Sequence, residues 1–250
     1  MSASPIPIFL LAALVGGISC FELAGLGGGP RRFWPVLAAA VAIGYSALGL
    51  KSPGWMPEAQ LFGLTLLGAI IAPLWIREKR RILLEVGSLW CVSPLFSIAI
   101  LHQIYSPPGA QWNLKTPLFL LLVPLWIGDT LAYVVGRSIG KHLLASAISP
   151  KKTVEGAVAN VVGCVGGALL VGGMLNLAPW ISVSCGLIAG VLGQAGDLFE
   201  SALKRTAGTK DSGDLLPGHG GVLDRIDSML LAAPAQALLL SVVLPPTFSR

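Results

Sequence analysis

The sequence predicts an all-α fold, a polytopic integral membrane helical bundle of about eight transmembrane helices. Three observations lead there. Hydrophobic residues make up 54% of the chain and the mean hydropathy is +0.77, well above the usual composition of soluble domains. Apolar runs near the length a bilayer crossing needs, about 20 residues, recur along the chain. The 17 Lys and Arg fall almost entirely in alternate loops.

The expected spans are 5–27, 34–50, 59–76, 82–101, 117–135, 156–175, 179–197 and 228–245. The first follows an N-terminus, MSASPIPIFLL, with no basic region and no A-x-A site before its end. It reads as a retained span rather than a cleaved signal. The second is short, which leaves a range of seven to nine. The 41 residues from Gly156 to Gly196 carry no charge. That is too long for one crossing and suits a helical hairpin broken at NLAPW, 176–180. Residues 1–115 then hold the N-terminal transmembrane helices. Residues 116–250 hold the C-terminal helices and the charged loops, and both parts form one integrated membrane domain.

With eight spans, 14 of the 17 cations lie on one side of the membrane. Loops rich in Lys and Arg stay cytoplasmic, so that side is expected to face the cytoplasm and both termini to face away. The protein reads as a multi-pass cell-membrane protein with its chemistry on the cytoplasmic side. The net charge of +5 is accounted for by topology and attraction to anionic lipid heads, with no nucleic-acid partner. Cys20, Cys91, Cys164 and Cys185 sit in apolar runs without C-x-x-C spacing, so they read as small packing residues. Glycines such as Gly163, Gly166 and Gly167 read as helix-packing positions.

Charge gathers late in the chain. Asp197, Glu200, Asp211, Asp214, Asp224 and Asp227 are six of its twelve acids. Lys204, Arg205 and Lys210 lie among them, able to neutralise phosphates as point charges or, for Arg, as a bidentate fork. An aspartate such as Asp197 at the end of an apolar helix normally faces protein or water with a partner. Pro217, Gly218, Gly220 and Gly221 form a tight turn feeding a helix, a setting that suits an anion. His219 in that turn either touches a phosphate or braces the loop. Asp224 and Asp227 are three apart, so on a helix they share a face. With Asp197 they can form an oxygen-rich site for Mg²⁺. Arg225 points elsewhere and pairs locally.

The fifth span carries Asp129 within its apolar run and ends in Gly136, Arg137, Gly140 and Lys141. SPKKTVEG, 149–156, opens the sixth. Pro150 starts a turn, and Thr153 or Glu155 can cap the helix that follows. Lys151 and Lys152 offer two phosphate contacts, although positive-inside topology alone would also place them there. Glu22 and Glu85, in or near spans, could each pair with a cation elsewhere.

Taken together these residues resemble the phosphatidate cytidylyltransferases, also called CDP-diacylglycerol synthases. The resemblance rests on Ser201, Lys204, Arg205, Lys210, Asp211, Pro217, His219, Gly220, Gly221, Asp224, Arg225 and Asp227 at that family's spacing. GDLFES, SPKKTVEG and the D-x-x-A-Y-x-x-G-R-x-x-G-K-H arrangement from Asp129 to His142 add to it. It covers roughly residues 124–245, with Glu22 a further point of similarity. It implies that CTP and phosphatidate give CDP-diacylglycerol and pyrophosphate. On that reading Asp197, Lys204, Arg205, Lys210, Asp211, Asp224 and Asp227 form the catalytic set, and Asp197, Asp224 and Asp227 bind Mg²⁺. Asp129, Ser149, Lys151, Lys152, Thr153, Glu155, Ser201, His219, Gly220, Gly221 and Arg225 line the substrates. Asp129 would stand behind the metal ligands or beside a second, monovalent or divalent, cation. A homodimer is an open expectation. The rivals are a CTP-dependent lipid-alcohol kinase, a CDP-isoprenoid-lipid synthase and, from another class, an ion-coupled transporter.

Overall fold

A computed structural model describes residues 6–28, 56–78, 86–104, 116–218 and 220–244. The described helices are α1 (Ile6–Leu26), α2 (Met56–Glu78), α3 (Leu89–Ile104), α4 (Phe119–Ile139), α5 (Val154–Met174), α6 (Pro179–Thr206) and α7 (Leu223–Val243). Each overlaps one expected span, in order. The expected span at 34–50 and the candidates Glu85 and His219 lie outside the described residues. Five helices are long and apolar enough to cross a membrane: α2, α4, α5, α6 and α7. α1 and α3 hold shorter apolar stretches, Leu10–Leu26 and Leu89–His102. Large apolar side chains such as Leu10, Ile70, Val158, Val162 and Val191 face outward. That surface suits lipid and would be a liability in water.

Local chemistry sets several boundaries. The Thr116 hydroxyl accepts the Leu118 N–H at 3.1 Å just before α4. Thr153 caps α5, its hydroxyl accepting the Gly156 N–H at 3.1 Å, one of the two capping options the sequence offered. The α5–α6 break has Asn176 in the left-handed region (φ 56°) and Pro179 in the first turn of α6. These are the residue types that end one helix and start another.

The helices approach closely where glycine permits it. α4 and α5 meet at Gly128 and Gly163, where a Cβ on Gly163 would come within 3.1 Å of the Gly128 Cα. α6 meets α7 at Gly196, directly against the Asp227 backbone. With no hydrophobic force between helices in lipid, such contact is a main source of association. The largest core cluster joins the two halves of the chain. Leu23, Leu61 and Trp90 pack with Leu203, Leu223 and Leu230, and Trp90 meets Phe199 edge-on with centroids 4.9 Å apart.

Two features depart from expectation. The stretch between α4 and α5 forms a small antiparallel hairpin rather than a plain loop. Its strands are β1 (Leu143–Ala145) and β2 (Ser149–Thr153), with Leu143 opposite Thr153 and Ala145 opposite Ser149. The all-α reading therefore becomes mostly helical with a two-stranded addition. SPKKT has no apolar alternation to announce a strand, and Pro150 is tolerated because a two-stranded sheet is all edge. Second, α6 does not stop near residue 197 but runs on to Thr206. Phe199 and Leu203 keep an apolar stripe on the core, so the helix continues through the charged residues between them. At about 1.5 Å per residue its 28 residues span roughly 42 Å, more than the ~30 Å hydrocarbon core.

Candidate active site

The C-terminal ends of α4 and α6, the N-terminal ends of α5 and α7, and the hairpin all meet at one end of the bundle. α1 and α2 end there too, Gly27 lying against Trp75. Every Lys and Arg among the described residues is at this end.

Two polar stations form there. The first is a cavity of about 740 Å³. α4 contributes Asp129, Tyr133 and Arg137; β2 contributes Ser149, Lys151, Lys152 and Thr153; α6 contributes Asp197. The Lys152 ammonium is ion-paired with the Asp197 carboxylate, whose other oxygen lies 3.5 Å from the Ser201 hydroxyl. Behind Asp129 runs an amide relay. Asn160 Nδ2 donates to Asp129 Oδ1 at 3.0 Å, and Gln194 Nε2 donates to Asn160 Oδ1 at 3.2 Å. Asp197 interacts electrostatically with both Asp129 and Asp227. Asp197 therefore acts on a carboxylate to either side, and Lys152 opposes both effects.

The second station is built on Lys204, which bridges Glu200 Oε2 and Asp224 Oδ1, each at 2.5 Å. Asp224 also accepts from the Ser212 N–H (3.1 Å), the Ser212 hydroxyl (3.0 Å) and the Gly221 N–H (2.7 Å). A carboxylate has roughly four acceptor sites, and four donors already meet this one. Glu22 reaches the same loop from α1. It accepts the Val222 and Leu223 N–H groups at 2.9 and 2.7 Å, and the Ser212 hydroxyl lies 3.2 Å away. Among the described residues Glu22 is thus met by backbone and hydroxyl donors rather than by the cation its sequence position suggested.

Of the residues singled out from the sequence, Asp129, Ser149, Lys151, Lys152, Thr153 and Asp197 come together on the cavity wall. Lys204, Asp224 and Gly221 form the second station, and Gly220 (φ 82°) makes its turn beside Asp224 and Asp211. Arg205 reaches backbone carbonyls instead of the cavity, Nε to Ile148 O at 3.3 Å and a terminal nitrogen to Thr209 O at 3.1 Å. It ties the hairpin to the end of α6. Glu155 holds His142, Oε1 to Nδ1 at 2.6 Å. Lys210, Asp211 and Arg225 are exposed. Asp224 belongs to the second station, whereas Asp227, on the same helix face, does not line the cavity and interacts electrostatically with Asp197, Lys152 and Lys204. Among the described residues no three Asp, Glu, His or Cys side chains converge as a metal cage.

Sequence reasoning passed over Asn160, Gln194 and Ser212, and counted Glu200 among the late acids without giving it a role. The two amides lie in the charge-free run, where a search for charge misses them. A polar amide in an apolar span was the available signal. Arg137 and Tyr133 were noted within a motif without a role. On the cavity wall Arg137 donates to the Tyr133 hydroxyl at 2.7 Å and lies 6.0 Å from its ring centre.

Comparison with known proteins bears on what this arrangement is for. The model of the cytidylyltransferase family matches residues 2–243. The phosphatidate cytidylyltransferase of Staphylococcus saprophyticus is 35% identical over 208 residues, covering 82% of this chain and 79% of that protein. Its namesake in Staphylococcus epidermidis is 32% identical over 235 residues, covering 93% and 89%. That of Staphylococcus aureus is 34% identical over 208 residues, covering 82% and 79%. With a family match along nearly its whole length and relatives this similar, the chain belongs to the cytidylyltransferase family.

Proposed function

We propose that this protein transfers the cytidylyl group of CTP to phosphatidate, forming CDP-diacylglycerol and releasing pyrophosphate. The observation that carries the reading is the cavity at the charged end of a membrane bundle. Two carboxylates, Asp129 and Asp197, share its wall with Lys151, Lys152 and Arg137. Anionic substrates need the cations; a hard divalent ion needs the carboxylates.

The chemistry follows from charge. A phosphomonoester has its second pKa near 6, so phosphatidate is largely dianionic at neutral pH and needs no strong base. One of its oxygens attacks the α-phosphorus of CTP. The bond from that phosphorus to the oxygen bridging toward the β-phosphorus breaks, and pyrophosphate leaves. The barrier is the approach of two anions, so positioning and electrostatic stabilisation dominate. Lys151 and Arg137, at the mouth, neutralise incoming phosphate. Lys152, held by Asp197, presents a fixed ammonium beside the reacting groups. Asn160 and Gln194 fix the orientation of Asp129.

The all-oxygen donor set of Asp129 and Asp197, backed by Asp227, fits Mg²⁺ better than a softer metal. Bound there, the ion would supply charge neutralisation for the triphosphate and the leaving pyrophosphate. Asp224, saturated by protein donors, would act on the loop that shapes the site. Eight crossings, counting the apolar run at 34–50, would set the charged end on the cytoplasmic side, supported by the bias of Lys and Arg. Tyr133, Val134, Leu143 and Val158, exposed near the cavity, would let the diacyl tails stay in the leaflet.

The test is mass spectrometry of products from labelled CTP and phosphatidate, with Mg²⁺, using the full chain in detergent. CDP-diacylglycerol and equimolar pyrophosphate are expected. A phosphorylated lipid with CDP, or no covalent product, would refute the proposal.

A further inference from the structure

The N-terminus of α7 has a capping requirement that its own sequence does not meet. Val222 stands at the cap position and has no side-chain acceptor. The first N–H groups of a helix need partners; Asp224 takes the Gly221 N–H, but Leu223 is fully buried, away from bulk water. Glu22 supplies what is missing from α1, some 200 residues earlier. One of its oxygens accepts from Val222 N–H and the other from Leu223 N–H. A carboxylate is the favoured acceptor at a helix N-terminus, where the macrodipole is positive.

The loop is shaped around this side chain. A Cβ on Gly221 would come within 2.7 Å of Glu22 Oε2, and one on Gly213 within 3.0 Å of Glu22 Oε1. The Ser212 hydroxyl lies between Glu22 Oε2 (3.2 Å) and Asp224 Oδ2 (3.0 Å). Two glycines and a serine of the late charged region thus make sense as the walls of a socket for Glu22, which is only 4% exposed.

We infer that Glu22 is a positioning residue of the transferase: it docks Ser212, Gly213 and Gly221 and the start of α7, and so sets where Asp224 and Asp227 stand. Glu22 acts through backbone and loop rather than on substrate. The inference rests on the activity proposed above.

The experiment uses full-length protein in detergent with two readouts, trypsin cleavage after the exposed Lys210 and turnover per folded molecule. In Glu22→Gln an NH₂ group replaces one acceptor and faces an N–H. Cleavage should accelerate, and kcat should fall on the order of a hundredfold, the scale of an ~1 Å misplacement. Gly213→Ala, which crowds Glu22 without removing a polar group, should shift both readouts in the same direction. In a Glu22→Ala background it should add nothing. Unchanged cleavage in Glu22→Gln and Gly213→Ala overturns the inference. So does faster cleavage with kcat preserved, because Glu22 would then hold structure without setting the site. If Glu22→Gln does not fold, the Gly213→Ala pair decides alone. Wild-type protein that makes no CDP-lipid would refute the proposed activity, while the cleavage readout still tests the docking.

Discussion

Replacing Lys204 with methionine separates two roles for this residue, phosphate ligand and structural tie. The side chain is 11% exposed and bridges Glu200, fully buried, and Asp224, 7% exposed. Methionine keeps the apolar stem and removes the only cation recorded between these carboxylates among the described residues. Breaking a buried ion pair by deleting one partner costs about 3–5 kcal/mol, because the remaining charge is left uncompensated. For a chain of this length each kcal/mol moves Tm by roughly 2–4 °C, so Lys204→Met should melt about 6–20 °C lower. The double variant Lys204→Met/Glu200→Gln removes the stranded buried charge and should recover a large part of that loss. Thermal unfolding in detergent, followed by intrinsic fluorescence, measures both. A Lys204→Met protein that melts with the wild type while its KM for CTP rises would refute the tie and return Lys204 to the phosphates. Equal melting of single and double variants would refute the ledger of charges.

Asp197→Asn should lower pyrophosphate release on the order of a hundredfold or more, the scale of losing one preorganised electrostatic group, with melting within a few degrees of wild type; full turnover would remove Asp197 from the chemistry. Lys151→Ala deletes an exposed cation, so stability should hold while kcat/KM falls about tenfold to a hundredfold, as for loss of a charged hydrogen bond of about 1.5–3 kcal/mol; unchanged kinetics would leave Lys151 a topology residue. Gly163→Val places a branched side chain against the Gly128 Cα and should destabilise by about 1–3 kcal/mol through overpacking; an unshifted melting curve would show that α4 and α5 can move apart freely.

Much of the architecture was legible because it is local. Seven apolar runs announced seven described helices in their observed order, and Thr153, Asn176 and Pro179 marked ends through their own backbone chemistry. The course of α6 was misread because charge at Asp197 and Lys204 looked like a loop, whereas Phe199 and Leu203 carry the apolar stripe onward. The hairpin escaped notice because SPKKT lacks the alternation that marks a half-buried strand. Asp129, Lys152 and Asp197 were recognisable as chemistry-bearing residues, and the resemblance put them at one site; the direct ion pair of Lys152 with Asp197 and the amides behind Asp129 were not legible.

The sequence by itself determined a membrane bundle, its helix order, and a late charged region with the resemblance to a cytidylyltransferase. Hydropathy and residue spacing act within a single segment, so one chain suffices to read them. Only the tertiary structure decided how the charges are shared. Lys204 and the Ser212 loop claim Asp224, while Asp227, three residues on, lies with its backbone against Gly196 of α6. Glu22, the earliest acid in the chain, lies under the latest motif. Pairings of this kind are set by which helix ends the packing brings together, and no spacing along the chain encodes that.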